Sequence, residues 1–96
     1  ECDVGILLDG SGIGMSVVAN KIVGIRAALA HDHITARRAR EHNHCNVLCL
    51  GTDLLTEEQI RHIVEIFLST SFERGGRHDR RLAKIAEIES EMTGRT

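Results

Sequence analysis

Residues 4 to 14 constrain the fold most. The apolar stretch Val4-Gly5-Ile6-Leu7-Leu8 runs directly into Asp9-Gly10-Ser11-Gly12-Ile13-Gly14. A short apolar run bounded by polar residues predicts a buried strand of a parallel sheet. Glycine at every second position after it predicts a tight turn, and Met15 to Lys21 can then form a short helix. A strand, a glycine loop and a helix in that order leave backbone N–H groups pointing out of the loop, where the helix dipole favours negative charge. The segment therefore predicts both an α/β fold and a place for an oxyanion.

The alternation continues along the chain. Gly24 ends the first helix before a second apolar run, Ile25 to Ala30, which predicts a second strand. Asp32 has the character of an N-cap for a helix through about Asn43. Val47 to Leu50, closed by Gly51, predicts a third strand. Thr56-Glu57-Glu58-Gln59 has the form of a capping box. It opens a helix with Ile60, Ile63, Val64, Phe67 and Leu68 expected on one face. Gly75 and Gly76 break the pattern, and Leu82, Ile85, Ala86 and Ile88 mark a last amphipathic helix over residues 76–92. Strands alternating with helices argue a parallel sheet whose right-handed crossovers leave the functional loops at the carboxyl ends of the strands. No repeat or proline-rich linker divides the 96 residues, so a single domain is expected.

Composition narrows the function. With 42% apolar and 27% charged residues, the chain has the profile of a globular protein rather than a disordered one. No apolar run approaches the ~20 residues that span a bilayer, so no membrane partner and a cytoplasmic location are expected. Cys2, Cys45 and Cys49 are odd in number and lack C-x-x-C spacing, which argues reduced thiols. Arg74, Arg77, Arg80, Arg81 and Lys84 crowd one stretch, but without Trp or Tyr to stack bases the cluster suits a phosphate ester better than a nucleic acid. The opening Glu1-Cys2-Asp3, without an initiator methionine, reads as the start of a fragment. A dinucleotide fingerprint fails by one residue, since G-x-G-x-x-G would require glycine where Met15 stands. Asp32 does fall near the place of a ribose-binding acid.

Several motifs then occur in order: Gly10-Ser11-Gly12-Ile13-Gly14-Met15-Ser16, Ala19-Asn20-Lys21, Gly24-Ile25-Arg26-Ala27-Ala28, Ala39-Arg40-Glu41-His42-Asn43, Asn46-Val47-Leu48 with Gly51, and Gly75-Gly76-Arg77-His78 with Arg81 and Ala83-Lys84-Ile85. Together they resemble the ribose-5-phosphate isomerase type B and galactose-6-phosphate isomerase family. The resemblance implies a Rossmann-like three-layer sandwich around a parallel sheet, of which this chain is the C-terminal part, the family's N-terminal strand and helix being absent. It also implies cofactor-independent aldose–ketose isomerisation of a phosphorylated sugar through an enediolate. The sites would be shared between subunits of a homodimer or larger assembly, with the 76–92 helix packing on a partner. A non-catalytic sugar-phosphate-binding or regulatory relative is the alternative.

Residue by residue, the resemblance makes Asp9 the proton-transferring base, at a position where type B enzymes usually carry cysteine. Asp53 stands where the family usually places an arginine near the phosphate. Ser11 would contact the reacting oxygens, with Gly10, Gly12, Ile13 and Gly14 sharing the enediolate charge through their amides. His42 matches the ring-opening acid–base residue, and an imidazole can both take and give a proton near neutral pH. Asn43 would hold a sugar hydroxyl. Arg77 and Arg81, four apart and so on one helix face, would grip the phosphate. Purely structural roles compete: a turn closed by Ser11, helix caps at His42 and Asn43, a solvated basic face for the arginines. His31, His33, His42, His44 and Cys45 invite a metal reading. They fall at opposite ends of one short helix, however, and no metal is expected.

Overall fold

The computed structural model describes residues 3–72 and 76–94. Cys2, Arg74 and Gly75 lie outside these residues. Three strands, β1 (Gly5–Asp9), β2 (Ala27–Leu29) and β3 (Val47–Gly51), form a parallel sheet in the order β1-β3-β2. The register pairs Gly5 with Val47 and Asp9 with Gly51 on one side, and Ala27 with Val47 on the other. Every residue of β3 is buried because it is the central strand.

The crossovers explain the layers. The chain moves two places across the sheet from β1 to β2 and one place back to β3. Right-handed connections therefore put α1 (Ile13–Ala19) on one face and α2 (His33–Glu41) on the other. Helix α3 (Glu57–Ser69) joins α2 there. Leu48 and Leu50 of β3 pack with Ala36, Ala39, Ile63 and Phe67 on the α2–α3 side, whereas Cys49 and Val47 pack with Ala19, Leu7 and Met15 on the α1 side. This is the period-2 alternation of a strand buried on both faces. Helix α4 (Arg77–Thr93) closes the described chain.

Both predicted caps form. Asp32 accepts from the Thr35 amide at 2.7 Å, and Thr56 accepts from the Gln59 amide at 3.1 Å while Gln59 answers to the Thr56 amide at 2.8 Å. The hydrogen bonds from Thr35 hold the Asp32 carboxyl below its ordinary range. That carboxylate is spent on the helix, which removes the ribose-binding acid the dinucleotide alternative required.

Three expectations need correction. The second strand is only Ala27–Leu29, not Ile25 to Ala30: just before it the Arg26 amide is taken by the Asn46 side chain. Asn20 brackets Ala27, donating to its carbonyl at 3.0 Å and accepting from its amide at 2.8 Å, and Asn46 accepts from the Arg26 amide at 2.8 Å. Leu68 is 56% exposed, since the core-facing stripe of α3 is centred on Ile63 and Phe67. Finally, α2 stops at Glu41, with His42 as its C-cap. Cys45 and Cys49 are free and buried, as expected of reduced core thiols. No helix among the described residues is long and apolar enough to cross a membrane.

Candidate functional site

The glycine loop and the loop after β3 are knitted together at the carboxyl end of the sheet. The Thr52 amide donates to the Asp9 carbonyl at 2.8 Å and the Asp53 amide to the Gly10 carbonyl at 3.0 Å. Glycine at position 51 permits this approach, because a Cβ there would lie 2.5 Å from the Ser11 carbonyl oxygen. Gly12 adopts φ +81°, and its missing side chain leaves room for the backbone of Leu50 and Gly51. Asp9 ends β1 on the same face as Leu7, with its Oδ2 against the start of α1, where a Cβ on Gly14 would lie 3.4 Å away. Its Oδ1 is buried and has no hydrogen-bond partner among the described residues. A buried carboxylate oxygen left unpaired costs stability, and native proteins accept that cost mainly where chemistry needs the group.

Two neighbours define what this half can do. Cys49 of β3 lies close enough to feel the Asp9 charge, and burial followed by that charge pushes its thiol above the ordinary range. Both effects favour the protonated thiol over the thiolate. Asp53 sits against Gly10, where a Cβ would meet its Oδ2 at 2.9 Å. With two carboxylates beside the loop, this end is electrostatically unsuited to a phosphate dianion.

Ser11 accepts from the Ile13 amide through its hydroxyl at 3.2 Å. The turn-closing role is thus real, and of the amides expected to share an enediolate charge, that of Ile13 is already taken. The Ile13 side chain is exposed. Gly10 follows Asp9 directly and Gly14 lies against its Oδ2, whereas Gly12 packs on Leu29, Leu50 and Gly51.

The other predicted residues collect elsewhere. His42 caps α2, which runs from the carboxyl end of β2 back to the amino end of β3, and Asn43 follows it. The His42 side chain is 29% exposed, so a ligand can reach it, and its Nε2 lies 3.3 Å from Oε1 of Glu41. Its ring stacks on His78 with centroids 4.2 Å apart and planes 9° from parallel. His78 is the buried residue of α4, so this stack docks the first turn of α4, with Arg77 and Arg81, beside His42 and Asn43. Both arginines are exposed, and neither has a carboxylate within ion-pair distance among the described residues. In the sequence, His78 stands out only as part of the Gly75-Gly76-Arg77-His78 motif. Its place between Arg77 and Asp79 does not disclose the contact, because the face it presents depends on where α4 docks.

Thus Asp9, Ser11 and the glycines occupy the carboxyl end of the sheet, while His42, Asn43, Arg77 and Arg81 occupy the amino end. The four residue steps of β3 between them span about 13 Å. Proton transfer requires reach of roughly 3 Å, so the two sets do not meet at one point within this chain.

Comparisons with known proteins agree with the motifs. The Ribose/Galactose Isomerase family model matches residues 1–85. Ribose-5-phosphate isomerase B of Escherichia coli is 42% identical over 89 residues, covering 93% of this chain and 59% of the relative. The type B ribose 5-phosphate isomerase structure from Trypanosoma cruzi superposes with a TM-score of 0.91 at 49% identity, covering 94% of this chain and 60% of that one. Ribose-5-phosphate isomerase B from Mycoplasma genitalium, solved with bound ribulose-5-phosphate, gives 0.88 at 45% identity, over 92% of this chain and 57% of its own. The chain thus spans about three fifths of the length of these relatives. With motifs, fold and matches in agreement, the chain belongs to the ribose/galactose isomerase family and represents part of the family domain.

Proposed function

We propose that this chain contributes two complementary half-sites to a cofactor-free sugar-phosphate isomerase, each site being completed by a second copy. The observation that carries this reading is the separation of the Asp9 loop from His42, Asn43, Arg77 and Arg81 at opposite ends of the sheet. A two-fold axis sets the carboxyl end of one copy against the amino end of the other and generates two equivalent sites. Exposed apolar residues supply surface for such pairing: Ile13, Val17 and Val18 on α1, and Ile85, Ile88 and Met92 on α4, are between 49% and 73% exposed. The groove of about 630 Å³ between α4 and residues 20–28 is lined largely by apolar side chains and suits protein better than sugar.

In the assembled site, Arg77 and Arg81 hold the phosphate and His42 moves the proton that opens the sugar ring. The Asp9 carboxylate removes the proton from the carbon beside the carbonyl. The enediolate charge rests on the Ser11 hydroxyl and the remaining loop amides, a proton passes from the hydroxyl oxygen on the second carbon to the oxygen on the first, and Asp9 returns the abstracted proton to the first carbon, converting aldose to ketose. Ribose 5-phosphate or a related pentose or hexose phosphate fits these groups. Asp9→Asn tests the assignment: it keeps the fold and sugar-phosphate binding and loses most turnover. A second reading, a non-catalytic sugar-phosphate binder, draws on Asp9 and Asp53 standing where relatives carry cysteine and arginine. It requires binding without turnover in the unmodified protein, so a coupled assay of aldose-to-ketose conversion separates the two.

A further inference from the structure

Outside these half-sites, His33 and His62 come from different helices yet have ring centroids 5.7 Å apart, with planes inclined at 55°. Both residues are exposed. The backbone beneath them is firmly held, since Ala36, one turn after His33, and Ile63, next to His62, are 0% and 2% exposed in the same core cluster. The small side chains of Ala36 and Ala39 let α2 lie close to α3 and fix the spacing of the two imidazoles. The Asp32 carboxylate next to His33 in sequence caps α2 through Thr35 and lies 3.7 Å from Nε2 of His31.

An imidazole nitrogen binds zinc at about 2.0–2.1 Å, which places the ion roughly 3.2 Å from the ring centroid. Two rings 5.7 Å apart then subtend about 126° at a shared ion, within modest side-chain rotation of the tetrahedral angle. Ordinary aromatic packing can also produce this spacing. Because both residues are exposed, each side chain has room to turn a ring nitrogen toward a common cation.

We propose that His33 and His62 form a two-imidazole clip for a divalent transition cation of the nickel or zinc class, with water completing the coordination. The clip ties α2 to α3 and stands apart from the residues assigned to isomerisation. Among the described residues no group of three or more ligating side chains occurs, so the clip has two protein ligands and moderate affinity.

Ni²⁺ is the suitable probe because imidazole favours it and the buried thiols do not compete. At mildly alkaline pH, titration calorimetry should give one saturable site per chain. At Ni²⁺ one hundred times above the measured Kd, the folding equilibrium should shift about 100-fold toward the native state, read as a raised melting temperature. His33→Ala and His62→Ala should each abolish that shift, and His31→Ala should leave it intact. Turnover should be indifferent to chelation. Failure to bind Ni²⁺ at millimolar concentration, undiminished binding in the His33→Ala, His62→Ala double variant, or loss of binding in His31→Ala would overturn the proposal.

Discussion

Replacing Gly12 with alanine should damage the glycine loop by an amount that the structure separates into two parts. The first is conformational. Gly12 has φ +81° and ψ −13°, and a side chain in the left-handed region costs about 1–2 kcal/mol. The second is steric. The new Cβ would lie 2.5 Å from Cδ1 of Leu29, 2.9 Å from the carbonyl carbon of Leu50 and 3.0 Å from the Gly51 amide nitrogen. Leu29 is partly exposed and can rotate away, but the β3 backbone is locked between two strands. Overpacking of this kind adds about 1–3 kcal/mol, for a total of about 2–5 kcal/mol. Gly24 provides the control: its φ is +84°, yet nothing lies within 4 Å of a Cβ built there. Gly24→Ala should therefore show only the conformational cost. Urea unfolding of both variants measures the difference. If Gly12→Ala falls within about 0.5 kcal/mol of Gly24→Ala, the close approach of the loop to β3 does not exist as described.

Arg77→Ala or Arg81→Ala should weaken sugar-phosphate binding about 10- to 100-fold, the equivalent of one charge-assisted contact, and leave the oligomer intact; isothermal titration with sedimentation checks both. Cys45 is the buried thiol whose titration is most displaced, pushed up from 9.0 to about 11 mainly by burial. At pH 8 its thiolate population should be about 100-fold below that of a free thiol, so alkylation followed by peptide mass mapping should find it slow in the native state and fast in urea. Because its folded pKa exceeds the unfolded value, its contribution to stability is intact below pH 9 and is lost as the pH rises toward 11.

Local signals carried much of the fold into the sequence. Asp32 and the Thr56–Gln59 pair mark helix starts because an N-cap needs only neighbours in sequence, and the glycine spacing marks the β1 turn because a positive φ is a local demand. The order β1-β3-β2 could not be read, since it depends on which strands meet. The short β2 also escaped, because the Asn46 side chain takes the Arg26 amide only once the chain has folded. In the candidate site, sequence supplied the residue types but not their full arrangement. The strand–helix–strand order does imply that α2 carries His42 to the end of the sheet opposite Asp9, but where α4 brings Arg77 and Arg81 is not legible, because it depends on helix docking. The stacking of His42 on His78 and the approach of His33 to His62 are likewise contacts between elements, and they depend on helix docking rather than spacing.

The shared site is tested most directly by complementation between two inactive proteins, one carrying Asp9→Asn and the other Arg77→Ala with Arg81→Ala. Each parent has a defect in both of its sites. After subunit exchange at equal amounts, about half of the dimers are mixed, and each mixed dimer holds one site with every unmodified residue and one with all three substitutions. Turnover should return to about one quarter of the unmodified protein's value. A mixture as inactive as its parents, with exchange confirmed by mass spectrometry of the intact assembly, would contradict the assignment of Asp9 and the arginines to opposite sides of a common site.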